Sequence, residues 1–371
     1  METYTKVIDR DTSIARLVRD DDKWSILRLS ALHYGDKEQA KEGFFDWLYG
    51  GTPAGRPIVA VAEALASGEI VGFTWHLPFQ VSLQGVEALC LMGCNALVHP
   101  DFRLKGIYLT LREMTFERVE DQLFTYGFPK PAAIYPHGKA GMNRVTRIPL
   151  MVMPLDMHAL AKSRISNSIV GLAMDVGWRV ASRTILRPHR PSSGSYGIRI
   201  SEHTTFDTSF DHFWEKVAGK YPIIIKRDRA FLNWRFCRLS FRSYQILSAR
   251  AGSEMLGYAV LRCADISRVR TGLIMDLLVE ESSRGEAAGL QLLAEAKGWF
   301  QRNGAALAGC LMLPHTQEST ILQQAGFVNC PERFAPQTFA LSAKSLSPHV
   351  TNEFLLESKN WFITSANHDA V

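Results

Sequence analysis

The 371-residue chain has no uninterrupted run of about twenty apolar residues, so no membrane span is expected. Its first six residues lack the basic-then-apolar layout of a secretory signal, and the expected location is the cytoplasm. Cysteine is scarce. The six, at 90, 94, 237, 263, 310 and 330, have no zinc-knuckle spacing, so no metal is expected, and a chain of this size needs no disulfide framework. Charge of one sign is also missing. Lys and Arg number 42 against 37 Asp and Glu, interspersed, for a net charge of +5. That balance argues against a nucleic-acid partner and suits anionic small molecules. The most basic local cluster, Arg179, Arg183, Arg187, His189 and Arg190, is expected to be a solvated linker face. The length is ample for two cores.

An apolar run over 88–97 is expected to form a buried strand. After it, residues 107–119 have helical spacing, with Ile107, Leu111, Met114 and Val119 near one stripe. Between them lies a short basic turn containing Arg103, Lys105 and Gly106. The first amides of such a helix have no internal partners, and the helix dipole adds positive potential there. The turn is therefore an expected anion site, suited to phosphate.

The stretch Val98, Pro100, Arg103, Gly106 resembles the Val-x-Pro-x-x-Arg-x-x-Gly-x-Gly/Ala motif of the GNAT superfamily of N-acyltransferases, which cradles the pyrophosphate of acyl-coenzyme A. Tyr108 departs from the final small residue of that motif. The resemblance implies that Arg103, Leu104, Lys105, Gly106, Ile107 and Tyr108 bind the cofactor. It also implies that the backbone of Ala96, Leu97 and Val98 meets the thioester.

Upstream, two helices over 23–32 and 39–48 precede a hairpin over 57–64 and 70–76, and a last strand is expected near 124–128. The plan recurs with helices over 210–217 and 228–236, a hairpin over 244–250 and 256–261, a strand over 272–279, a helix over 287–300 and a strand over 305–313. Trp47 and Gly72 correspond to Trp234 and Gly257. The expected fold class is α/β with mixed sheets. It comprises two tandem GNAT-like domains, each a mostly antiparallel central sheet flanked by helices. Residues 1–160 form the acyl-coenzyme A-binding domain, 161–195 a linker or connecting helix, 196–345 a second domain and 346–371 a tail. The stretch from Arg227 to Phe236 and the ending from Asn360 to Asp369 resemble features of a bacterial group of double-GNAT proteins.

In the second copy Glu286 and Ala287 stand where the first has Lys105 and Gly106. A glutamate beside a pyrophosphate is repulsive, so the cofactor is expected in the first copy only. Acyl transfer to an amine requires a polarised carbonyl, a neutral amine and a proton for the departing thiolate. No carboxylate lies between Ala88 and Val98, where the family often places its base; Asn95 is there instead. An imidazole is the side chain suited to accept a proton near neutral pH, which makes His76 and His99 candidate bases, and Tyr135 is the tyrosine nearest the family's usual acid. The catalytic candidates are Asn95, His76 and Tyr135. Asp276 is read as either structural or lining the acceptor site.

These features imply an N-acetyltransferase that uses acetyl-coenzyme A as cosubstrate and acetylates an amine on a small molecule such as an amino sugar. The alternatives are a Fem-like aminoacyl transferase and a non-catalytic protein that binds coenzyme A or a partner.

Overall fold

The computed structural model describes residues 5–9, 12–164 and 197–368, so the expected basic linker face and most of the 161–195 connection lie outside the described residues. The chain forms two units, Met1–Arg147 with Ala340–Asn360, and Ile148–Phe339 with Trp361–Val371.

The first unit runs β1 Thr5–Asp9, β2 Ser13–Leu17, α1 Lys23–Tyr34, α2 Glu42–Tyr49, β3 Ile58–Ala64, β4 Ile70–Leu83, β5 Val86–Val98, α3 Ile107–Phe116, β6 Gln122–Gly127, α4 Ile134–Lys139 and β7 Asn143–Arg147. The second runs β8 Leu150–Pro154, α5 Met157–Arg164, β9 Ile198–His203, α6 Thr208–Val217, β10 Ile223–Ile225, α7 Arg229–Phe236, β11 Gln245–Ala251, β12 Glu254–Ile266, β13 Val269–Val279, α8 Ser283–Arg302, β14 Leu307–Leu311, α9 Gln317–Gln324 and β15 Val328–Asn329. The chain then returns to the first unit with β16 Ala340–Ser345 and α10 Asn352–Leu356, and ends in the second with β17 Trp361–Phe362.

The first sheet has the order β1-β2-β3-β4-β5-β6-β16-β7 and the second β15-β8-β14-β13-β12-β11-β9. Along these two orders every pairing is antiparallel except one in each, β5 with β6 and β13 with β14; off the first order, β10 and β17 pair in parallel. The two orders follow one plan. In each, the strand after the parallel pair comes from a distant part of the chain: β16 in the first, β8 in the second. The expected domain ranges were consecutive, whereas these units are not. Strands β8 and β16 are short, with no periodicity to announce which sheet they join.

The exchange has a consequence. Strand β16 bonds to β6 from Ser342↔Gly127 to Ser345↔Phe124, and to β7 from Ala340↔Arg147 to Ala343↔Asn143. A fragment ending at residue 160 leaves both of these edges without their ladder, and exposed edges drive aggregation. We predict that fragment 1–160 aggregates or lacks a cooperative thermal melt by circular dichroism. A chain in which 340–360 is fused back onto it regains that melt.

Helix α3 packs through Ile107, Leu111 and Met114 on Ala15, Ala60, Ala62, Ala64 and Val71. The alanines alternate along β3, so they share the face beneath the helix, and their small side chains admit it closely. Gly72 completes the seat: a Cβ there would lie 2.9 Å from Ile107 Cγ2. Its counterpart Gly257 is equally constrained, 2.7 Å from Val279 Cγ1. Trp47 and Trp234, the other matched pair, are both buried.

The hairpin β4–β5 is longer than its apolar pattern suggests. Gln84 and Gly85, both with positive φ, form the tight turn that joins it. Helix α8 starts at Ser283 rather than near 287, because the Ser282 side chain accepts a bond from Gly285 N at 3.0 Å and caps it early.

Candidate functional site

Strands β5 and β6 are paired only from Leu89↔Gln122 to Gly93↔Gly127. Beyond Gly93, β5 continues to Val98 bonded to β4 alone, so its other edge faces a notch. Opposite Thr74 the strand carries one extra residue: Trp75 pairs with Cys94 and Phe73 with Leu97. Asn95 takes up this bulge with φ +45, a value asparagine tolerates better than most residues. Its Oδ1 accepts from the Tyr34 hydroxyl at 3.1 Å. Ala96 is exposed at the notch.

The basic turn follows. Arg103 Nε donates to Val98 O at 3.3 Å, tying the turn to the strand end. Leu104 and Gly106 are both left-handed, at φ +66 and +80. A left-handed leucine costs about 1 kcal/mol, and such strain collects where backbone shape serves function. The Leu104 side chain stands fully in solvent, and the Lys105 ammonium lies 5.1 Å from the Phe102 ring. Among the described residues no side chain caps α3 at Gly106. The first amides of α3 are therefore available to an anion. A Cβ on Gly106 would meet nothing within 4 Å, so glycine serves the backbone angle there and the space beside it is open.

The matching helix α8 is built the other way. Ser282 caps it, and the Ser282 hydroxyl donates to Glu280 Oε1 at 2.6 Å. Glu286 lies in its first turn and accepts from Gln324 Nε2 at 2.7 Å. This helix start meets its own need for acceptors and adds negative charge.

The remaining expected residues are scattered. His76, on β4 opposite Gly93, is fully buried, and neither ring nitrogen has a hydrogen-bond partner among the described residues. Burial and the nearby Arg112 push its pKa well down, so it is a neutral imidazole and a weak proton acceptor. Tyr135 is 74% exposed on α4, with its ring in solvent beside Lys139.

Asp276 does not line a cleft. It is fully buried on β13, where Arg227 Nε at 2.9 Å, the Tyr258 hydroxyl at 2.7 Å and the Thr364 hydroxyl at 2.7 Å all donate to its carboxylate. Burial without partners would be prohibitive, and three donors resolve that cost. The same Arg227 bonds Asn367 Oδ1 at 2.7 Å, and Arg235 bonds the carbonyls of Ala366 and His368. The Arg227–Phe236 stretch and the chain ending thus hold each other in the second unit.

Two residues were missed by sequence reasoning. Arg112 lies on α3 four residues after Tyr108, and His137 lies on α4 two residues after Tyr135. Both are buried. The Tyr108 and His137 rings stack at 5.7 Å, and Arg112 Cζ lies 5.9 Å from the Tyr108 ring. The i, i+4 spacing of Tyr108 and Arg112 was the available signal, since it puts both on one helix face.

Burial, with help from Arg112, lowers the His137 pKa from 6.5 to about 3. The unfolded chain therefore binds a proton between these values that the folded chain does not. This contribution to stability is whole above pH 6.5 and is lost as pH falls toward 3. His76 acts in the same direction. We predict that His137→Leu loses less stability than wild type between pH 6.5 and pH 5, by about 2 kcal/mol, in urea midpoints taken at both pH values.

No family model matches this chain, and no curated protein does. Solved structures do match. One is a GCN5-related N-acetyltransferase from Anabaena variabilis ATCC 29413, at TM-score 0.61 and 10% identity over 90% of this chain and 73% of that one. Another is N-myristoyltransferase from Saccharomyces cerevisiae with bound myristoyl-CoA and inhibitors, at 0.58 and 10% over 89% and 79%. A third is a probable N-acyltransferase from Enterococcus faecalis V583, at 0.55 and 10% over 92% and 73%. The likeness is one of fold: the chain has the mixed α/β fold of GCN5-related N-acyltransferases, in two units that are each a mostly antiparallel sheet flanked by helices.

Proposed function

We propose that the protein is an acyl-coenzyme A-dependent N-acyltransferase whose cofactor site lies in the first unit. The observation that carries this reading is the continuous path along β5: an open strand edge beyond Gly93, a bulge at Asn95, then a basic left-handed turn and an uncapped helix. The turn formed by Arg103 to Tyr108 takes the pyrophosphate. Backbone N–H groups along Ala96 to Val98 hold the pantetheine arm and polarise the acyl carbonyl. The amine nitrogen attacks that carbon, the C–S bond breaks, and the amine's surplus proton goes to solvent while the thiolate is protonated.

Asn95, fixed by Tyr34, orients the amine. His76, neutral and buried, holds the notch in shape. Tyr135 is too exposed on α4 to be fixed as the acid, and the hydroxyl of Tyr108, buried and without a hydrogen-bond partner among the described residues, is better placed. The donor is acetyl-coenzyme A and the acceptor an amine on a small molecule such as an amino sugar, handled in the cytoplasm. The second unit is a degenerate copy, with Glu286 and Ala287 in place of Lys105 and Gly106, and has no cofactor of its own.

Thiol release from acetyl-coenzyme A across a panel of amines tests this. Amine-dependent release is expected. Coenzyme A binding with no turnover on any amine would leave a binding protein instead.

A further inference from the structure

Arg112 is 2% exposed, yet among the described residues its Nε and Nη2 have no hydrogen-bond partner. Those two nitrogens form one edge of the guanidinium, and their parallel N–H groups match a carboxylate with two bonds. Two rings lie against it, Phe116 at 4.9 Å and Tyr108 at 5.9 Å. Ring contacts do not replace an anion for a buried cation.

The surroundings are also short of negative charge. Arg112 lies in the wall of a cavity of about 650 Å³ along α3, with Phe116, Lys139, Ala140 and Lys344. Lys344 has its ammonium 4.6 Å from the same Phe116 ring and donates to Ala140 O at 3.2 Å. Burial and Arg112 together lower its pKa. The two carboxylates of this wall, Glu113 and Glu117, are bound by Lys6 at 3.1 and 2.6 Å. At its inner end Arg112 reaches the notch: its Nη1 is 2.5 Å from where a Cβ of Gly93 would be. Gly93 is the last residue of β5 paired with β6.

We propose that Arg112 binds a carboxylate of the substrate, with Lys344 adding charge. The carboxylate belongs either to a dicarboxylic acyl group or to the amine acceptor. This rests on reading the first unit as an acyl-coenzyme A site. A carboxylate at Arg112 would sit beside the point where β5 opens, within reach of a transferred acyl group. The burial of Arg112 limits competition from water and strengthens such a pair.

The experiment uses the full-length protein and succinate as probe, with neutral succinamide as control. Succinate, but not succinamide, is expected to raise the melting temperature saturably, and Arg112→Met to abolish that shift while keeping the shift given by acetyl-coenzyme A. Without ligand, Arg112→Met should melt higher than wild type, because a buried unpaired cation is removed; a merely structural arginine would give the reverse. Arg112→Lys keeps the charge but loses the fork, and should bind succinate at least about tenfold more weakly.

Two kinetic arms name the source. One compares kcat/KM for succinyl- and acetyl-coenzyme A with one neutral amine. The other compares amines with and without a carboxylate, using acetyl-coenzyme A. A tenfold preference in one arm, lost in Arg112→Met, identifies it. An absent succinate shift, or an equal shift in Arg112→Met, overturns the proposal. A succinate shift without any acetyl-coenzyme A shift upholds the anion site and removes the proposed function instead.

Discussion

Arg227→Leu is expected to destabilise the protein by about 3–5 kcal/mol. Arg227 is 1% exposed and Asp276 is wholly enclosed. Removing the guanidinium leaves the carboxylate with two neutral hydroxyl donors and no countercharge. It also removes the bond to Asn367 Oδ1, which helps fix the chain ending. The double variant Arg227→Leu/Asp276→Asn no longer buries an uncompensated charge, so it should be less destabilised than the single one. Urea unfolding of the four proteins of this cycle measures the coupling. A loss under about 1 kcal/mol for Arg227→Leu, or additivity in the cycle, would show that the pair does not hold the second unit together.

The second large effect concerns ligand binding. Acetyl-coenzyme A at a hundred times its dissociation constant should stabilise the wild type by about 2.7 kcal/mol. Gly106→Glu should abolish that gain. It forces a side chain into φ +80 and places a carboxylate at the open mouth of the α3 amides. Gly106→Ala, which adds the strain without the charge, separates the two causes and should keep part of the gain. Ala287→Glu, on the capped α8, should keep all of it. Melting curves with and without ligand measure each case. A wild-type curve that does not move would remove the cofactor site.

Much of the fold was legible because long amphipathic elements announce themselves. The α3 stripe of Ile107, Leu111 and Met114 and the strand over 57–64 were visible in the sequence, and in the structure the stripe packs on the alanines of that strand. Gly72 and Gly257 were matched as a repeat, and each proves to be a close approach that a Cβ would block. The exchange of β8 and β16 was not legible. A short strand carries no record of which sheet it joins, since that choice depends on partners far away in the chain, β14 for β8 and β6 for β16.

At the site, the basic turn was readable because glycine and charge sit at fixed offsets from a strand end. The bulge at Asn95 was not, since one extra residue leaves the apolar pattern intact. Tyr135 and His137 show the limit most clearly. They are two residues apart on a short helix, and only the second faces inward. Asp276 shows it in another form: an acidic residue in an apolar run needs partners, and those partners lie 49 and 88 positions away, in Arg227 and Thr364.

Hydrogen exchange with and without coenzyme A tests the central claim most directly. The predicted result is ligand-dependent protection of the amides of Ala96 to Val98 and of Ile107 to Leu109, with those of Ser283 to Glu286 unchanged. Protection confined to the start of α8, or none along β5 and α3, would contradict it.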